Sequence, residues 1–168
     1  LTNDKRLNHL LLDPNYSHER TYWVQVEGQI TDSALKELES GVKISVNKKI
    51  HNTLKAKAVL LEDVEKLLPE RNPPIRYRKN VPDSWIAITL KEGKNRQVRK
   101  MTAAVGFPTL RLVRWSVEKL TIDGFEAGEV RLLDGDTLYS TLGISSKAQT
   151  EQGFKTTKNQ KTKKKKRH

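Results

Sequence analysis

The stretch from Ser84 to Val117 constrains this chain most. Ser84 to Leu90 alternates Trp85, Ala87 and Thr89 against Ile86, Ile88 and Leu90, which is the period of a strand. Glu92-Gly93 turns the chain. Arg96 to Val105 then sets Val98, Met101, Thr102 and Val105 at i, i+3, i+4 and i+7, the apolar stripe of a helix that Gly106 ends. Leu110 to Val117 resumes as a strand, with Leu110, Leu112, Arg114 and Ser116 expected on one side. The helix stripe has to bury itself on the sheet that its flanking strands belong to.

The rest of the pattern extends that unit. Asn3 or Asp4 can cap a short helix bearing Leu7, Leu10 and Leu11, stopped by Asp13-Pro14. Arg20 to Glu27 alternates as a strand, Tyr22, Val24 and Val26 on one face and Thr21, Trp23 and Gln25 on the other. Thr31 caps a helix with Ala34, Leu35 and Leu38 as its stripe, and Gly41 suits the position after its end. Short strands are expected over Val42–Val46 and Leu54–Leu61, a proline-bearing loop over Arg71–Pro82, a turn and strand over Ile122–Leu133, and a helix over Asp136–Leu142. Strands and helices come in runs, so the expected class is α+β, a mixed or antiparallel sheet with flanking helices.

Composition excludes several kinds of function. Zero cysteines remove disulfide scaffolds, iron–sulfur clusters and thiol nucleophiles, and the four histidines show no metal-ligand spacing, so no metal or cofactor is expected. No run approaches the roughly 20 apolar residues of a bilayer span. Thirty-two basic residues against 20 acidic ones give +12, which points to the cytoplasm and to an anionic partner.

That charge is unevenly placed. From Lys155 to His168 there are eight basic residues and no acid, and the remainder carries only +4. A domain over residues 1–144 and a disordered basic tail over 145–168 are therefore expected, the tail able to attract RNA phosphates without specificity. Between Gly93 and Val117, by contrast, Lys94, Arg96, Arg99, Lys100, Arg111 and Arg114 are interleaved with the apolar pattern, and no acidic residue interrupts them. This is the better candidate for a structured phosphate-lined surface.

Within it, a glycine turn delivers Asn95 and Arg96 to the expected first turn of a helix, where unpaired amides favour an anion. Arg96 and Lys100 are four apart and share a face. Arg99, about 100° round from Lys100, lies nearer the seam of Val98 and Met101 and calls for a carboxylate partner. An ordinary structural ion pair would satisfy that need equally well.

These residues resemble a known family. Pro82 to Val117, PDSWIAITLKEGKNRQVRKMTAAVGFPTLRLVRWSV, is similar to the third motif region of bacterial ribosomal RNA pseudouridine synthases, in the branch of the A-type (small-subunit) and the B-, E- and F-type (large-subunit) enzymes. Leu1–Tyr16 and Glu19–Gly28 resemble the flanks of its first two motifs, and Leu68–Trp85 is most similar to the E-type enzymes. The resemblance implies isomerisation of a uridine in rRNA, with Tyr22 packing on the target base and Arg99 pairing with the catalytic aspartate. It further implies RNA as the partner and no cofactor, which makes Lys94, Arg96, Lys100, Arg111 and Arg114 of the basic surface the expected RNA contacts; a monomer is the default.

Three positions depart from the family's usual residues: Arg20 stands for a lysine, and Lys94 and Lys100 for arginines. Lysine keeps the charge and loses the bidentate grip. The Gly-Arg-Leu-Asp segment that carries the family's aspartate would lie just upstream of Leu1, so the chain is expected to be N-terminally truncated. Asp4 and Asp13 fall on helix ends and are not expected to replace it. A non-catalytic RNA-binding remnant of such an enzyme is the alternative. An unrelated DNA-binding protein is disfavoured, because the strand after Gly106 breaks any helix-turn-helix.

Overall fold

The computed structural model describes residues 2–70, 72–74 and 81–144. The basic tail, and residues 71 and 75–80 of the expected proline loop, lie outside the described residues. The chain divides into two compact units, Leu1–Leu132 and a second one beginning at Leu133.

In the first unit, five strands form one sheet in the order β4 (Lys57–Leu61), β5 (Asp83–Leu90), β1 (Arg20–Glu27), β6 (Thr109–Val117) and β7 (Leu120–Thr121). Every pairing is antiparallel. The strand β1 is central, so Tyr22 stands opposite Ile88 on one side and Arg114 on the other. A separate hairpin pairs β2 (Lys43–Val46) with β3 (Lys49–Asn52). Its two-residue turn, Asn47-Lys48, has φ of 51° and 62°, the left-handed pair that tight hairpins need.

The two faces of β1 belong to two cores. Tyr22, Val24 and Val26 face the larger one, built with Ile86, Ile88 and Leu90 of β5 and covered by α2 (Asp32–Ser40) and α3 (Gln97–Ala104). Val98, Met101 and Thr102 of α3 are buried there as the spacing requires. Burying a side chain of Met101's size contributes about 1.5–3 kcal/mol. Trp23 faces the other way and joins Trp85 and Val64 in the smaller core. The Trp115 ring stacks on Trp23 at 3.6 Å and 6°.

Side-chain caps fix the ends of the short helices. Asp4 accepts from the amides of Arg6 and Leu7 to start α1 (Lys5–Leu12), and Arg20 donates to the Leu11 carbonyl at its far end. Asp13 accepts from the Asn15 amide at the turn that follows. In the second unit Asp134 caps α4 (Gly135–Thr141), and its bonds to Thr137 hold its carboxyl below the ordinary carboxylate range.

Four expectations are corrected. Lys49–Asn52 is a strand where none was expected, and β4 is shorter than the expected Leu54–Leu61. Ile122–Leu133 contains turns but no strand; the added pairing is the two residues of β7. The even alternation of β6 fails at both ends, because register shifts opposite Gln25/Val26 and Thr21/Tyr22 leave Leu110 and Trp115 without partners. The bulge beyond Arg114 puts Ser116, instead of Trp115, opposite Thr21, while Trp115 keeps the face of Trp23.

Candidate functional site

The turn between β5 and α3 presents the exposed cations. Lys94, Asn95 and Arg96 are all exposed, and Arg96 has φ of 54°. The helix therefore starts at Gln97 and not at Arg96; Arg96 is its N-cap, with no capping bond from its side chain. Its carbonyl still accepts from the Lys100 amide at 3.1 Å, so both cations sit at the start of α3. A left-handed non-glycine residue is uncommon and costly, and such residues concentrate at functional sites.

A buried carboxylate, missed by the sequence reading, holds this turn. Glu92 is 5% exposed. One of its oxygens accepts from Gln97 Nε2 and from the Leu54 amide, both at 2.8 Å, and the other faces His51 Nε2 at 3.0 Å. Gln97 Oε1 in turn accepts from the Lys94 amide at 2.9 Å. The only local signal was the adjacency of Glu92 to the glycine turn; Gln97 is five residues on, but His51 and the Leu54 amide come from 41 and 38 positions away.

Arg99 is half-buried, and its Nη1 donates to the Thr109 carbonyl at 3.4 Å. Among the described residues no carboxylate forms an ion pair with it. Thr109 stands opposite Val26. Tyr22 is four residues away along β1, roughly 13 Å at strand rise. The structure thus puts Arg99 and Tyr22 on the same core face but at different heights along it.

Tyr22 packs against the larger core, and the Arg114 guanidinium lies over its ring at 5.6 Å. The pair follows from the register, since the two residues are direct cross-strand partners. Arg111 does not join them. It lies on the other face, donates to the Pro69 carbonyl at 2.8 Å and stands 5.9 Å from the Trp85 ring. There it lines a pocket of about 340 Å³ with Leu67, Leu68, Trp115 and Phe125. Neither Tyr22 nor any residue of the Lys94–Lys100 segment lines that pocket.

Beside it, Arg131 lies 4.0 Å over Phe125, and its hydrogen bond to Glu129 holds that carboxyl below the usual range. No group of acidic and histidine residues among the described ones is placed to hold a metal, and no described helix is long and apolar enough to cross a membrane.

The sheet thus pairs Tyr22 of its central strand with Arg114 of β6, beside a helix led by exposed cations, and this fold has known members. A crystal structure described as a pseudouridylate synthase shares the fold, with a TM-score of 0.64 and 23% identity over 83% of this chain and 52% of that one. Residues 1–104 match the family of RNA pseudouridylate synthases, and the chain belongs to that family.

The ribosomal large subunit pseudouridine synthase E of Vibrio vulnificus (strain CMCP6) is 47% identical over 129 residues, which are 77% of this chain and 53% of that protein. The protein of the same name from Xanthomonas campestris is 44% identical over 134 residues, 80% of this chain and 69% of that one. The ribosomal large subunit pseudouridine synthase B of Bacillus subtilis (strain 168) is 32% identical over 133 residues, 79% of this chain and 47% of the relative. The chain thus spans about half the length of the Vibrio and Bacillus relatives.

Proposed function

We propose that this chain forms a large part of the catalytic domain of a pseudouridine synthase that modifies large-subunit rRNA. One observation carries the reading: Arg99 is half-buried behind an exposed cationic turn and has no carboxylate partner among the described residues. A guanidinium so placed is ready to hold an aspartate ionised and oriented. Asp4 and Asp13 are committed to helix-end amides, which leaves neither as the natural partner. The reading assigns that aspartate to the Gly-Arg-Leu-Asp segment expected upstream of Leu1.

The chemistry is an isomerisation. The bond from C1′ to N1 breaks, the base turns, and C1′ bonds to C5; C5 loses a proton and N1 gains one. The uridine must first leave its stack. Lys94, Arg96 and Lys100 hold the phosphates around it, and Tyr22, steadied by Arg114, supplies a surface for the base. Arg111, bonded to Pro69, shapes the opposite face in this reading and does not touch the base. The tail cations of Lys155–Arg167 add attraction without specificity. The enzyme acts as a cytoplasmic monomer and needs no cofactor.

The test is pseudouridine formation in unmodified large-subunit rRNA by the polypeptide extended upstream of Leu1. Conversion of a defined uridine is expected. No conversion at any position would overturn the reading.

A further inference from the structure

The segment from Gly41 to Leu61 holds Lys43, Lys48, Lys49, Lys55 and Lys57 and no acidic residue. Four of these are placed on or beside the β2–β3 hairpin, and Lys43, Lys48, Lys49 and Lys55 are exposed. Lys57 is taken by Glu19 at 3.2 Å. Among the described residues the other four form no ion pair.

The hairpin is not a loose appendage. At its base the Val42 amide donates to the Thr53 hydroxyl, and the Thr53 amide to the Val42 carbonyl, both at 2.9 Å. Gly41 makes this closure possible: its φ is 95°, and a Cβ there would lie 2.5 Å from the Thr53 carbonyl oxygen. His51 in β3 and Leu54 just after it both bond to Glu92, which bonds in turn to Gln97. One buried carboxylate therefore joins the hairpin to the Lys94–Arg96 turn. The hairpin tip at Lys48 lies three residues from His51, roughly 10 Å at strand rise.

We propose that the β2–β3 hairpin is a second RNA-contacting arm, gripping backbone phosphates beside the strand held by Lys94, Arg96 and Lys100. It rests on the proposed function, since the neighbouring turn is what makes RNA the anionic partner. The joining carboxylate is buried and bonded on both oxygens, so it does not itself contact that partner. The rigid link fixes the spacing between the two sets of cations, which is what a regular phosphate backbone requires.

The experiment compares the wild-type chain with K48E/K49E in binding unmodified large-subunit rRNA fragments over a range of salt. A control, K5E/K36E, reverses the same charge at exposed lysines of α1 and α2. All four side chains are exposed, and circular dichroism and thermal melting check that each variant folds. The hairpin variant is expected to bind about tenfold more weakly at low salt, with a salt slope shallower by about 1–2, the value of two lost phosphate contacts. The control is expected to keep the wild-type slope.

An unchanged slope in K48E/K49E overturns the inference and leaves an acidic protein surface as the partner for the hairpin. Equal losses in both variants overturn it too, because net charge would then explain the effect. If the wild-type chain shows no salt-dependent affinity at all, the proposed function fails first and the arm with it.

Discussion

Arg114 lies over the Tyr22 ring because the two residues are cross-strand partners in β6 and β1. The pairing of β6 with β1 runs without interruption from Arg111 to Arg114, so Arg114 shares the larger core side with Leu112; the bulge lies beyond it, at Trp115, whose ring stacks on Trp23.

Replacing Arg114 by alanine is therefore expected to cost stability as well as charge. Arg114 is exposed, so the cation–π contact contributes only about 0.5–1 kcal/mol. Urea unfolding of Arg114→Ala measures that loss. Tyr22→Phe keeps the ring and should unfold close to the wild-type midpoint.

Gly41 and Gly106 separate space from conformation. Both have positive φ, 95° and 89°, but a Cβ meets nothing within 4 Å at Gly106 and meets backbone oxygen at 2.5 Å at Gly41. Gly106→Ala should cost about 1 kcal/mol, from the left-handed backbone alone. Gly41→Ala should cost clearly more and should release the hairpin, visible as faster amide exchange at Val42 and Thr53. Equal costs would contradict the tight closure.

Glu92 is expected to tolerate an amide and not a hydrocarbon. Glu92→Gln keeps an acceptor for the Leu54 amide and Gln97. Glu92→Leu leaves both buried donors unpaired, each at about 1–3 kcal/mol. Thermal melting ranks the two variants.

The helix stripe should behave as plain core. Met101 is 0% exposed, and Met101→Ala is expected to destabilise by about 2–5 kcal/mol. Chemical denaturation checks this directly.

Much of this was legible in the sequence, for identifiable reasons. The alternation of Tyr22, Val24 and Val26, and the spacing of Val98, Met101 and Thr102, record faces that lie against the larger core, Tyr22 only partly buried. Lys49–Asn52 carries no such record, because its one aliphatic residue, Ile50, is 73% exposed. Bulges add single residues without changing composition, so the alternation that placed Ser116 beside Arg114 did not show that Ser116 stands opposite Thr21. Arg96 read as helical because nothing local marks a left-handed residue there. The Glu92 contacts join residues 38 and 41 positions apart, a separation that no local pattern reports.

Arg99 is the residue on which the functional assignment turns. The direct measurement is pseudouridine formation by the upstream-extended polypeptide carrying Arg99→Ala, beside Arg111→Ala and wild type. Arg99→Ala is expected to lose activity on the order of 10²-fold or more, with rRNA affinity nearly kept, because an oriented charge at the reacting centre is worth that much. Arg111→Ala should stay within a few-fold of wild type. Full activity in Arg99→Ala would contradict the assignment and return this arginine to an ordinary structural role.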